Sequence, residues 1–184
     1  MRDDWQNISL FRNHMKSLKE ISYDDDNEKY MTQSMALAIS FDDAIKDYLK
    51  AHDCPNETLK SVDAIAEFNK KPVFIEFKNG VLDSKETKIK IPAKIKDSLL
   101  VFGDIANCTI NYTRESVEFI LVYNLDKNPR KPINFREMIN GHIQRYAKTQ
   151  NIRFGLGKYK NLYFKEVRTY SADEFGEFLS NYVQ

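Results

Sequence analysis

The chain has 184 residues and a mass of 21.6 kDa, with 42% hydrophobic and 30% charged residues but only 6 Gly and 5 Pro. That excludes a collagen, a low-complexity segment or a disulfide scaffold, and leaves a single globular domain over residues 1–184 as the expectation. The net charge of +1 conceals a division: residues 1–126 hold 17 Lys+Arg against 22 Asp+Glu, residues 127–168 hold 11 against 2, and residues 169–184 hold none against 3.

A basic section in an otherwise neutral chain suits a polyanion-binding surface, and a solvated lysine-rich face accounts for it equally well. No apolar run approaches the roughly 20 residues of a membrane span, and the opening residues lack the apolar segment of a signal peptide. Cys54 and Cys108 form no CxxC and lie too far apart to read as a metal pair, which fits free thiols in a reducing, cytoplasmic setting.

In chain order, residues 5–21 read as an amphipathic helix, with Ile8, Phe11, Met15 and Leu18 near one stripe. After the acidic break at Asp24, Asp25 and Asp26, residues 28–39 read as helical again. Ser40 offers an N-cap for a helix to about His52, with Phe41, Ile45, Tyr48 and Leu49 inward. From residue 60 the period shortens. Residues 61–68 read as a strand with Val62, Ala64, Ala66 and Phe68 on one face, residues 69–72 as a turn, and residues 73–78 as a second strand.

Pro92 suits the first turn of a helix to about Gly103, and residues 117–123 form the most apolar run, a central strand. In the basic section, Asn134 and Glu137 suggest a capped helix to about Lys148. Residues 151–155 and 162–169 suggest two strands about the turn at 157–160, where Gly155 and Gly157 lack the spacing of a phosphate-binding loop. Ser171 and Glu174 form a second capping box, opening a last helix with Phe175, Phe178 and Leu179 inward. The expected class is mixed α/β: a central mixed sheet flanked by helices, carrying a basic C-terminal helix-hairpin-helix extension.

The chemistry-bearing stretch is Asp63 followed thirteen positions later by Glu76, Phe77 and Lys78. Positions 76 and 78 share one face of a strand, yet Val73, Phe74, Ile75 and Phe77 make that strand apolar. Charges on such a strand are costly unless paired, metal-bound or functional. A short hairpin brings Asp63 towards Glu76, and two converging carboxylates make a hard-oxygen site suited to Mg²⁺ or Mn²⁺. A buried salt bridge from Lys78 to Asp63 or Glu76 is the competing structural account. Glu86 and Lys88 repeat the Glu-x-Lys spacing in a polar stretch, so context and not spacing singles out Glu76.

Over about residues 40–123, a helix, strands bearing Asp63 and Glu76-Phe77-Lys78, a helix and a strand resemble the PD-(D/E)XK nuclease superfamily, whose fold is restriction-endonuclease-like. The pattern departs from that superfamily at Val62, where the naming proline is absent, and in the strand before the Asp strand, which is missing or reduced to residues around Leu59. The resemblance implies a metal-dependent phosphodiester hydrolase, endonuclease or exonuclease, acting on DNA more than RNA. Asp63, Glu76 and the Phe77 carbonyl would hold the metal, with Asp42 as a further candidate, and Lys78 would position the attacking water. Lys94 and Ser98 on the following helix are accessory candidates. Arg130, Lys131, Arg136, Arg145 and Lys148 would track phosphates, or else form only the wet face of a helix.

A catalytically inactive, nuclease-like nucleic-acid or protein-binding module is the alternative. Cutting both strands of a duplex would favour a homodimer. His142 reads as a partly buried, satisfied histidine, and His14 and His52 have no zinc-ligand pattern around them.

Overall fold

The computed structural model describes residues 5–130 and 152–181. Short elements come first: α1 (Ser9–Arg12), β1 (Met15–Ser17), α2 (Leu18–Ile21), β2 (Tyr23–Asp24), β3 (Lys29–Tyr30) and β4 (Leu37–Ser40). Then follow α3 (Phe41–Ala51), β5 (Ala64–Phe68), β6 (Lys71–Lys78), α4 (Lys85–Ile105), α5 (Ile110–Ser116), β7 (Glu118–Tyr123), β8 (Glu166–Ser171) and α6 (Ala172–Ser180). Six strands form one mixed sheet in the order β1-β4-β5-β6-β7-β8, antiparallel as far as β6 and parallel from β6 to β8. Among the described residues no helix is long and apolar enough to cross a membrane.

Side-chain alternation divides the core into two layers. Phe74 of β6 and Phe119 and Leu121 of β7 pack with Phe41, Ile45 and Leu49 of α3 and with Ile91, Ile95, Leu99 and Phe102 of α4. Val73, Ile75 and Phe77 of β6 face the other way, onto Phe175 and Leu179 of α6. Glu76 and Lys78 share the parity of Phe74, so they project to the α3/α4 side.

The β5–β6 hairpin closes through Asn69 and Lys70, at φ 51° and 61°, the paired left-handed residues of a type I′ turn. This two-residue turn fixes the register, and one step beyond the Ala64–Ile75 pair it sets Asp63 opposite Glu76.

Several sequence expectations are corrected. Residues 5–21 are not one helix but a 3₁₀ turn, α1, β1 and α2. Phe11 packs on the α3/α4 side and Leu18 on the α6 side, so no straight helix could bury both. Residues 28–39 give β3 and β4 in place of a helix. Val62 leaves the face of Ala64 and joins the α3/α4 layer, because the chain bends at Asp63 and the Ser98 hydroxyl of α4 accepts the Val62 N–H at 2.8 Å.

No strand forms around Leu59. Its place beside β5 is taken by β4, from upstream of α3. Helix α4 begins at Lys85, where Ser84 caps the Thr87 N–H, so Pro92 lies inside it and not in its first turn.

The C-terminal hairpin is also corrected. Residues 152–155 hold no strand, Phe154 has φ 60°, and a 3₁₀ turn spans Leu156–Tyr159. The remaining strand, β8, runs parallel to β7. The helix expected over 134–148, with His142, lies outside the described residues.

Other expectations stand. α3 starts after Ser40, although the Ser40 hydroxyl donates to Asp43 (2.6 Å) and caps no backbone N–H. β7 is fully paired on both sides, and Ser171 and Glu174 form the capping box of α6.

Candidate functional site

Topology gathers the charged residues at one end of the sheet. β4 and β6 finish there at Ser40 and Lys78, and β5 begins there after Asp63. Ligands of open α/β sheets bind outside the carboxyl ends of parallel strands, and this end has that character.

Asp63 is held by its own neighbours: Oδ2 accepts the Phe77 N–H at 2.6 Å. Its Oδ1 lies 3.0 Å from Lys94 Nζ. The same ammonium lies 2.8 Å from Glu76 Oε1 and 2.9 Å from Oε2. Glu76 is only 1% exposed. Like charges directly opposite on paired strands repel, and Lys94, reaching down from α4, is what reconciles them.

Asp42, in the first turn of α3, accepts a hydrogen bond from the Ser61 hydroxyl and adds its field to the same group. Two carboxylates therefore contact one ammonium, and a third, Asp42, acts on it at longer range. Burial first, and then the Asp63 charge, push Glu76 up to about 8, although Lys94 pulls the other way. Burial and Asp63 likewise raise Asp42 above the usual carboxylate range. Burial would lower Lys94, but the charges of Asp63 and Glu76 override it and hold the ammonium well above its ordinary value. Once Glu76 ionises, the group carries more negative charge than one lysine neutralises.

Lys78 is half-buried at the end of β6, and among the described residues its side chain has no hydrogen bond or ion pair. The sequence-based alternative of a Lys78 salt bridge is thus replaced by one from Lys94. The sequence named Lys94 as accessory, but its place at the centre of the group was missed. The contacts span 31 and 18 residues, and no local pattern signals them. Ser98, the other accessory candidate, anchors the Val62 backbone and is fully buried.

Asp43 is turned away to Lys16, Ser40 and Lys46. Those hydrogen bonds outweigh the cost of burial and hold it well below the usual range. Beside this group opens a cleft of about 250 Å³, lined by Lys16, Glu20, Ser40, Asp42, Lys46 and Asp63.

No three His, Cys, Asp or Glu side chains among the described residues are gathered closely enough to read as a ready-made metal cluster. The donor chemistry nevertheless fits a hard cation. Asp63 and Glu76 point at one place, which the ammonium of Lys94 occupies.

Of the phosphate-tracking candidates, Arg130 pairs with Glu174 at the start of α6. Lys131, Arg136, Arg145 and Lys148 lie outside the described residues. His14 pairs with Asp47, and His52 bonds the Tyr48 carbonyl. The chain matches no known protein family, no curated protein and no solved structure.

Proposed function

We propose that the chain is a metal-dependent nuclease of the PD-(D/E)XK type, hydrolysing phosphodiester bonds in DNA in preference to RNA. One observation carries the reading: the two strand-borne carboxylates of Asp63 and Glu76 converge on a single cationic point, and Asp63 also lines a polar cleft. The order supports it too: α3, the β5–β6 pair bearing Asp63 and Glu76-Phe77-Lys78, α4, then the parallel β7.

Asp63 and Glu76 would hold Mg²⁺ or Mn²⁺, with the Phe77 carbonyl and Asp42 as further donors. A bound ion supplies Lewis-acid polarisation of the phosphate and a water of lowered pKa. The protein's own residues do the rest. Lys78, on the same face as Glu76 and in no ion pair with Asp63 or Glu76, orients the attacking water and offsets charge gathering on the phosphate. Phe77 fixes the direction of Asp63 through its N–H. The basic section 127–168 holds the nucleic-acid backbone, with affinity falling steeply as salt rises. The enzyme acts in the cytoplasm, and a homodimer serves it where both strands of a duplex are cut.

Incubation with plasmid, single-stranded DNA and RNA in Mg²⁺ or Mn²⁺ tests this. Cleavage should vanish with chelator, with Glu76→Gln and with Lys78→Ala. No cleavage of any substrate, or cleavage untouched by these substitutions, refutes it.

The direct contact of Lys94 with both acids favours one competitor, an inactive nucleic-acid- or protein-binding module whose charged trio is structural. That reading requires a gel shift unchanged by chelator and by Asp63→Ala.

A further inference from the structure

Lys94 makes three contacts of 3.0, 2.8 and 2.9 Å with two carboxylates, the place where the reading above seats a divalent ion. One point takes one cation. Resting on that reading, we infer that Lys94 is a resident substitute for the metal: a positioning residue that occupies the seat in the metal-free protein and leaves it when the ion binds.

Three features make the exchange workable. The first is the cost of an empty seat. Glu76 is almost sealed from solvent, and Asp63 faces it from the neighbouring strand. Two such acids left without a cation repel each other and forfeit their hydration. The second is that the seat does not depend on Lys94 for its shape. Asp63 is oriented by the Phe77 N–H on its other oxygen and stays aimed when the ammonium departs, and Glu76 keeps its place on the buried face of β6.

The third is a destination. The cleft of about 250 Å³ that Asp63 borders is lined by the acids Glu20, Asp42 and Asp43 against the two cations Lys16 and Lys46, and the Asp42 carboxylate already feels the Lys94 charge. A flexible four-carbon stem can carry the ammonium there. The exchange replaces one positive charge with two among Asp42, Asp63 and Glu76, and so neutralises the excess that Lys94 leaves. Metal entry then has a threshold, because the ion must compete with a tethered cation.

Covalent labelling of the wild-type chain tests this. An amine-reactive ester is applied with and without saturating Mg²⁺, labelled lysines are read by peptide mass spectrometry, and calorimetry with Mg²⁺ alone establishes binding. Lys94 should be poorly labelled without metal and several-fold more labelled with it. Lys90 and Lys88, paired with Glu86 and Asp83 on the surface, should not change. Calorimetric binding without a rise at Lys94 overturns the inference and leaves the metal reading standing. No binding heat overturns both.

Discussion

Glu76 should make the protein less stable as pH rises, and Glu76→Gln should remove most of that slope. Burial, followed by the Asp63 charge, raises this carboxyl from its ordinary 4.5 to about 8. A folded state that holds a proton more tightly than the unfolded chain loses stability from the unfolded value up to the folded one. At about 1.4 kcal/mol per pH unit, the loss between those two values comes to roughly 4–5 kcal/mol. That is a large part of the roughly 5–15 kcal/mol that holds a typical domain.

Lys94 does not blur the window, because its carboxylate partners hold it charged throughout. Asp43 and Glu174 act at the acid side: held below their usual range, they contribute stability that is lost only as pH falls through their folded values. Urea unfolding in chelator at half-unit steps from pH 5 to 8.5 measures the effect. The wild-type midpoint should fall across the window, the Gln variant should fall only by what Asp42, also raised, contributes, and the two curves should diverge most at the alkaline end. Added Mg²⁺ should lift the wild type most at high pH, where no proton competes with it. Parallel curves for the two proteins would refute the reasoning.

Two further outcomes concern the scaffold. Ser98→Ala removes the only acceptor shown for the buried Val62 N–H, which should cost about 1–3 kcal/mol. It should also speed amide exchange at Val62 and Asp63, and unchanged exchange there would count against the anchoring role. Lys70→Gly places glycine where φ is 61° and should raise stability by about 1 kcal/mol, because an L side chain is strained there. A thermal midpoint that stays level or falls would show that the turn is not strained.

What the sequence made legible follows from the range of the forces involved. α3, the β5–β6 hairpin, β7 and α6 each carry their own signal: an apolar stripe, alternation around two turn residues, a continuous apolar run, and a Ser171/Glu174 box. The first 40 residues do not. Their apolar residues mimic a helical stripe, but Trp5 and Phe11 serve one core layer while Leu18 and Met31 serve the other. Only the folded sheet between them settles the matter.

Ile110–Ser116 escaped notice because seven residues with no side-chain cap carry little helical signal. At the site, Asp63 and Glu76 were readable because a short turn dictates which residues oppose each other. Ser98 was readable as a polar residue on the correct helix but not as a partner of a backbone amide. Lys94 could be placed near the site, but its bridging geometry arises from how α4 lies across the sheet.

The borders of the sheet carry a consequence for how copies of this protein can meet. β1 is three residues long and bears Lys16, tied to Asp43, while β8 carries Glu166 and Arg168, each in an ion pair. A three-residue border at β1 and charged pairs along both borders disfavour an incoming strand. Among the described residues, main-chain zippering is therefore disfavoured at both margins, which directs association of two copies to side-chain surfaces.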